Sequence, residues 1–277
     1  MNANLSWEQS GVLAAALIVL AVGLGFLRGT WARKASPLLG EAALVVALYS
    51  LWQLCGVLVR NQTAGAYERG QWLLDAERYL PLPAELGINH AMVPYPLLTQ
   101  AANLYYATMH FGAALALLVW LYLRHRDRYA GFRTVLAVFT AISFAVSLVP
   151  VAPPRLIAGA GFVDTADQYG QSVYSAMSVV GPNQLAAMPS VHVGWAALVG
   201  VAVVVVAKSP WRWLALAHPV LTMLVVVATA NHYWLDGIVA VGLLAATCGL
   251  WRAARQVWER LSVLKAPALE PQSSTQS

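Results

Sequence analysis

The chain is 277 residues long, 59% hydrophobic and only 10% charged, with 11 Trp and a mean hydropathy of +0.61. No soluble domain of this size needs that much apolar surface, so a water-soluble enzyme or binding module is excluded. The formal net charge of +5 gathers beside apolar runs and no nucleic-acid motif is present, which points to acidic headgroups of membrane lipids and away from nucleic acid.

A transmembrane helix needs about 20 mostly apolar residues, and seven runs come near that length: 10 to 27, 38 to 59, 98 to 123, 134 to 150, 190 to 207, 213 to 231 and 234 to 251. They predict an all-α polytopic membrane bundle of about six to seven transmembrane helices. Residues 1–265 form one integral membrane domain with a catalytic core at about 98–251. The Pro-, Ser- and Gln-rich stretch from Ala266 to Ser277 reads as a disordered tail. A cleavable leader is the rival reading of the first run. However, Met1 to Ser10 carry no basic residue and the positive charge follows the run, so it is expected to be retained.

An odd number of spans puts the termini on opposite sides, and the basic residues say which way round. Thirteen of the 17 Lys and Arg fall on one side: Arg28, Arg33 and Lys34; Arg124, Arg126, Arg128 and Arg133; Lys208 and Arg212; Arg252, Arg255, Arg260 and Lys265. Arg60, Arg69, Arg78 and Arg155 lie in the two long loops of the other. The expected orientation is N-terminus outside and C-terminus in the cytoplasm of a protein of the cell (plasma) membrane. Cys55 and Cys248 each sit inside an apolar run and are expected to be core residues without a disulfide.

In the long loop from Arg60 to Pro96, Trp72, Leu73, Leu74, Ala76, Tyr79 and Leu80 interleave with Asp75, Glu77 and Arg78. This predicts a short amphipathic helix on the outer membrane surface, either a cover over the bundle or a substrate-facing element. Pro81, Pro83, Pro94 and Pro96 break any helix before the third span. On that span Asn103, Tyr106 and His110 share one face, which must turn toward protein. His110 is read as an interhelical fastener. Asn103 and Tyr106 lie nearer the outer end, where they can support the site or touch substrate.

Two stretches then place ionisable groups at the ends of apolar runs: Met188-Pro189-Ser190-Val191-His192 and Asn231-His232-Tyr233-Trp234-Leu235-Asp236. Charge so close to the bilayer core is costly and marks function. The run 190–207 descends and 213–231 climbs back, so His192 and His232 finish at the same, extracytoplasmic surface. Asp236 follows His232 by four residues. A helix starting near Asn231 puts both on one face, where the carboxylate holds one ring nitrogen and leaves the other free.

Arg155, just beyond the fourth span, brings a planar fork suited to phosphate or carboxylate. An Asp-oriented His, a second His and an Arg suit phosphoryl transfer through a covalent histidine: His232 attacks phosphorus and His192 protonates the leaving oxygen. Arg155, Ser190 and the N–H groups opening the helix after Pro189 would hold the phosphoryl oxygens. Asn231 and Tyr233 flank the nucleophile as supporting residues. No metal-ligand cluster or cofactor motif is visible, so neither is expected. His90 reads as a loop residue, His125 as part of the basic inner loop and His218 as a residue of a cytoplasmic-side helix. A transporter would place its ionisable groups nearer the midplane.

Pro189-Ser190-Val191-His192 and His232-x-x-x-Asp236 resemble the second and third signature motifs of the type 2 phosphatidic acid phosphatase superfamily. The texts Pro150 to Arg155, Ala186 to Trp195 and Asn231 to Asp236 resemble its branch of inositol phosphorylceramide and sphingomyelin synthases. The likeness runs from about Asn103 to about Gly242. It implies the fold of that family's core, His232 as nucleophile, Asp236 as its orienting partner and His192 as acid and base. The superfamily's first motif, Lys followed seven residues on by Arg-Pro, is absent; Pro153-Pro154-Arg155 stands nearest, in reverse order. The Ser-Arg pair before the third motif's His falls on Val225 and Val226. Phosphate neutralisation then rests on Arg155, helped by Arg69 or Arg78. The implied substrate is a phospholipid or other lipid phosphate, cleaved by water or transferred to a lipid alcohol; the oligomeric state is not legible.

Overall fold

The computed structural model describes residues 5–27, 29–59, 63, 65–169, 171 and 184–264; the tail from Ala266 to Ser277 lies outside them. Among the described residues the architecture is all-helical, and six helices are long and apolar enough to cross a membrane.

The first two, α1 (Trp7–Phe26) and α2 (Thr30–Val59), form a hairpin. Ser6 opens α1 with a capping box: its hydroxyl accepts the Gln9 N–H at 3.3 Å, and the Gln9 side chain accepts the Ser6 N–H at 3.0 Å. Apolar burial gives little drive between helices in lipid, so polar side chains fasten the pair. Ser50 donates to the Trp7 carbonyl at 2.7 Å and Gln53 to the Leu5 carbonyl at 2.8 Å. The hairpin reaches the remaining bundle through α2 and α6 (Arg126–Val146), where Arg133 meets Glu41 at 2.8 Å.

Two helices, not one, occupy the loop after α2: α3 (Ala66–Glu77) and α4 (Glu85–Met92). Pro81 and Pro83 separate them. Pro96 does not break a helix but opens α5 (Pro96–Arg124), since a first-turn proline needs no N–H partner. His90, expected in a loop, lies on α4 and its Nε2 contacts the Gly161 carbonyl at 2.8 Å. The connection after α6 carries a 3-10 turn (Pro154–Leu156) and the short helix α7 (Thr165–Gln168).

The run expected as a fifth span is α8 (Val191–Val206), only 16 residues, or about 24 Å at 1.5 Å per residue. It is the central helix, touching α5, α6, a helix α9 (Ala217–Ala228) and the final helix α10 (Trp234–Leu264). Its buried Gly194, Ala196, Ala197, Gly200 and Ala202 let neighbours approach closely. A 3-10 segment, Pro210–Leu216, leads into α9 and supplies the rest of the sixth apolar run. Cys55 and Cys248 are free.

Candidate active site

The site forms at the end of the bundle where α5, α8 and α10 begin and α6 and α9 finish. Helix α9 stops at Ala228 because the backbone reverses: Ala230 takes φ 54°, and the Asn231 and His232 N–H groups both turn back to the Val226 carbonyl at 3.0 and 3.2 Å. A left-handed alanine costs roughly 1–2 kcal/mol, and the neighbouring bonds hold it. His232 therefore sits in a bend before α10, not on the helix that was expected to start near Asn231. Its four-residue relation to Asp236 survives, because Asp236 occupies the third position of α10 and reaches back to the Tyr233 N–H at 2.9 Å, one half of a capping box.

Nδ1 of His232 faces two acceptors, the Ala187 carbonyl at 2.7 Å and Asp236 Oδ2 at 3.3 Å. That nitrogen must carry the proton, so the lone pair sits on Nε2. Nε2 is buried and has no hydrogen-bond partner among the described residues. The His192 ring lies 5.4 Å from that of His232, centroid to centroid. Tyr106 stacks on His192 at 4.3 Å and the ring of His110 lies 4.1 Å away. His110, read from sequence only as a fastener between helices, thus contacts the candidate acid directly. Ser190 is fully buried and caps α8, accepting the Val193 N–H at 3.4 Å while its own N–H goes to the Asp236 carbonyl at 3.2 Å. This ties the starts of α8 and α10 together.

Arg155 approaches from the strap after α6. That strap is fixed by reciprocal bonds with the segment before α8: Val151 N–H to the Leu185 carbonyl and Ala187 N–H to the Val151 carbonyl. The guanidinium, with its side chain 4% exposed, donates from Nε to Asn231 at 3.0 Å and from Nη1 to Asp164 at 2.7 Å. Asn231, the chain neighbour of His232, thus orients the cation. Asn103 does not reach the histidines; it binds the Thr165 carbonyl at 3.0 Å and the Thr165 hydroxyl at 2.8 Å, anchoring α7. Arg69 is committed through Nε to the Pro150 carbonyl at 2.7 Å, and Arg78 is exposed beside Asp75. Val225 and Val226 are buried in the apolar core with Met92 and Val193.

Helix α3 does more than lie on a surface. Its buried Leu73 and Leu74 pack on Val151, Ala152, Leu185 and Tyr233, while Trp72 and Tyr79 remain exposed. Tyr233 donates its hydroxyl to the Ala152 carbonyl at 2.7 Å, and burial with the charges of Asp236, Glu85 and Glu77 raises its phenol further. Two glutamates complete the turn that opens α10. Glu77 Oε1 accepts the Leu235 N–H at 2.6 Å and Glu85 Oε1 the Trp234 N–H at 2.8 Å. Burial first, then the hydrogen bond to Glu77 and its charge, push the Glu85 carboxyl up to about 9. Nothing in the sequence sets these glutamates apart from ordinary loop charges. Among the described residues no group of three or more His, Cys, Asp or Glu side chains is arranged to hold a metal ion.

The arrangement offers an imidazole with a fixed tautomer and a bare nitrogen, a second imidazole one ring away, and a buried cation. No curated protein and no solved structure matches the sequence. A family model described as the PAP2 superfamily matches residues 71–250, which takes in α4 to α9, all but the first residues of α3, and α10 as far as Leu250. The α1–α2 hairpin lies outside that match, and the chain belongs to the PAP2 superfamily.

Proposed function

We propose that this membrane protein cleaves or transfers the phosphoryl group of a lipid phosphate, through a phosphohistidine on His232, at the extracytoplasmic face. Members of the superfamily are phosphoesterases or phosphotransferases. The observation that carries the reading is the pair of acceptors on Nδ1 of His232, Ala187 at 2.7 Å and Asp236 at 3.3 Å, which leave Nε2 as the nucleophile. Nε2 attacks phosphorus as the bond to the leaving oxygen breaks, and His192 gives that oxygen its proton. His192 then takes a proton from the acceptor, whose oxygen attacks phosphorus and breaks the P–N bond. Arg155 and the opening N–H groups of α8, set by the Ser190 cap, stabilise the phosphoryl oxygens. Tyr106 supports the His192 ring, while Asn231 and Tyr233 support Arg155 and the strap.

A second reading, headgroup transfer to a lipid alcohol in the manner of inositol phosphorylceramide synthases, is favoured by the buried Val225 and Val226 where the superfamily's third motif normally carries a Ser-Arg pair. The purified protein, given a mixed lipid extract with and without a lipid alcohol, is expected to release phosphate or a phosphorylated alcohol. A new phosphodiester formed only with the alcohol selects the transferase. Absence of any phosphorus-containing product under both conditions overturns the assignment.

A further inference from the structure

The first turn of α10 is capped by three carboxyl groups from three helices. Asp236 takes the Tyr233 N–H, Glu85 of α4 takes the Trp234 N–H and Glu77 of α3 takes the Leu235 N–H. All three are buried: Asp236 is 0%, Glu85 6% and Glu77 7% exposed. A helix N-terminus offers about half a positive charge, far short of three carboxylates. The ion pairs among the described residues include neither glutamate.

The second oxygen of Glu77, Oε2, is buried and receives no N–H or O–H placed by the described residues. The neighbouring carboxyl is that of Glu85, which caps the preceding N–H of the same turn, Trp234, as Glu77 caps Leu235. Two buried carboxyls can bond only if one is protonated, and that proton gives Oε2 its missing donor. The titratable groups acting on Glu85 are Glu77 from α3 and Asp236 from α10, and Tyr233 feels all three carboxyls. Helix α9, which also packs on α4, has no charged side chain facing them; its one titratable residue, His218, lies at the opposite end against Tyr105.

We infer that Glu77 and Glu85 are positioning residues that share one proton and, by seating the first turn of α10 on α3 and α4, set the orientation of His232 and Asp236. The consequence for turnover rests on the proposed role of His232; the shared proton and the cap do not. The pair holds the surface helices to the one turn whose displacement would move the nucleophile. A shift of about 1 Å at a reacting group can cost roughly 100-fold in rate.

Two measurements separate these levels. In an ester-free detergent, the infrared band of a protonated carboxylic acid should be present at pH 7, titrate away near the value of about 9 held by Glu85, and be missing from Glu85→Gln. Hydrogen exchange of the amides of residues 233–236, corrected for intrinsic rates, should show protection in wild type that falls as pH rises toward that titration and levels off beyond it. Glu85→Gln, which keeps a donor for Glu77 and an acceptor for Trp234, should stay protected throughout; Glu85→Ala and Glu77→Ala should lose at least tenfold. For turnover, Glu85→Gln should match wild type at pH 7 and outlast it in alkali, and the alanine variants should lose kcat more than they raise KM. An acid band that persists in Glu85→Gln, or alanine variants with wild-type protection, would overturn the shared-proton cap. Lost protection with unchanged kcat would overturn the positioning role. If wild type turns over no lipid phosphate, the functional reading fails while the band and the exchange still decide the pair.

Discussion

Gly70 is the point where α3 touches the strap that carries Arg155. A Cβ added there would lie 2.6 Å from the Ala152 carbonyl oxygen, 2.7 Å from Ile157 Cδ1 and 2.8 Å from the Tyr233 hydroxyl. Ordinary contact begins at 3.4 Å, so Gly70→Ala forces α3 and the strap apart by about 0.8 Å, a shift that packed interiors resist. Overpacking of this kind costs about 1–3 kcal/mol, and stretching the Tyr233–Ala152 hydrogen bond adds about 1 kcal/mol. The gain in helix propensity returns about 1 kcal/mol, leaving a net loss of about 1–3 kcal/mol. Gly87 on α4 is the control, because a Cβ there meets nothing within 4 Å. Thermal unfolding in lipid nanodiscs should place Gly70→Ala below wild type by about 2–4 °C per kcal/mol and Gly87→Ala at or above it, with turnover lowered only in the former. Equal stability and activity in the two variants would refute the seating of α3 on Ala152 and Tyr233.

His232→Ala should abolish turnover, whereas Asp236→Asn, which keeps the fold of the turn but not the charge that holds Nδ1, should retain a residue of activity about 10²–10⁴-fold down; wild-type turnover in folded His232→Ala would remove the nucleophile from the mechanism. Glu85 is held neutral up to about 9 against an ordinary 4.5, so its contribution to stability is complete below 4.5 and is lost as pH rises through about 9. The melting temperature of Glu85→Gln should therefore pull ahead of wild type as pH climbs across that window; a constant difference would contradict the raised value. Single cysteines replacing Arg128 and Gln168, with Cys55 and Cys248 replaced, should react oppositely with a membrane-impermeant thiol reagent, and labelling of position 128 from outside intact cells would invert the proposed orientation.

The apolar runs made the bundle legible, because a bilayer demands length and apolarity in a single stretch of chain. What they could not show was that the run from Ser190 is a short central helix: Gly194 and Gly200 allow close packing, but burial among neighbours is a property of the assembled bundle. The same holds at the site. His192, His232 and Asp236 stood out as ionisable groups in apolar surroundings, and the structure brings their side chains together. The contact was expected on a continuous helix face and is made instead by a bend at Ala230 and a capping interaction. Arg155 was legible as a cation just beyond the fourth apolar run, but its hold on Asp164 and Asn231 was not, since these partners are set by a strap pairing between Val151 and Ala186. The site role of Glu77 and Glu85 was not legible for a physical reason: a charged residue in a long loop or on the polar face of a surface helix is usually solvated, and only the docking of α3 and α4 onto α10 buries them.

The proposed covalent step on His232 is tested most directly by trapping it. In His192→Ala the second half-reaction lacks its base, while a lipid-like phosphate ester with a leaving group of low pKa no longer needs the first proton. Incubation with that ester, followed by peptide mass spectrometry, should reveal phosphate on His232 as an acid-labile, base-stable adduct, absent from the His192→Ala, His232→Ala double variant. Turnover by wild type that depends on a chelatable divalent ion, with no adduct on His232 under trapping conditions, would contradict the phosphohistidine mechanism and assign the attack to water.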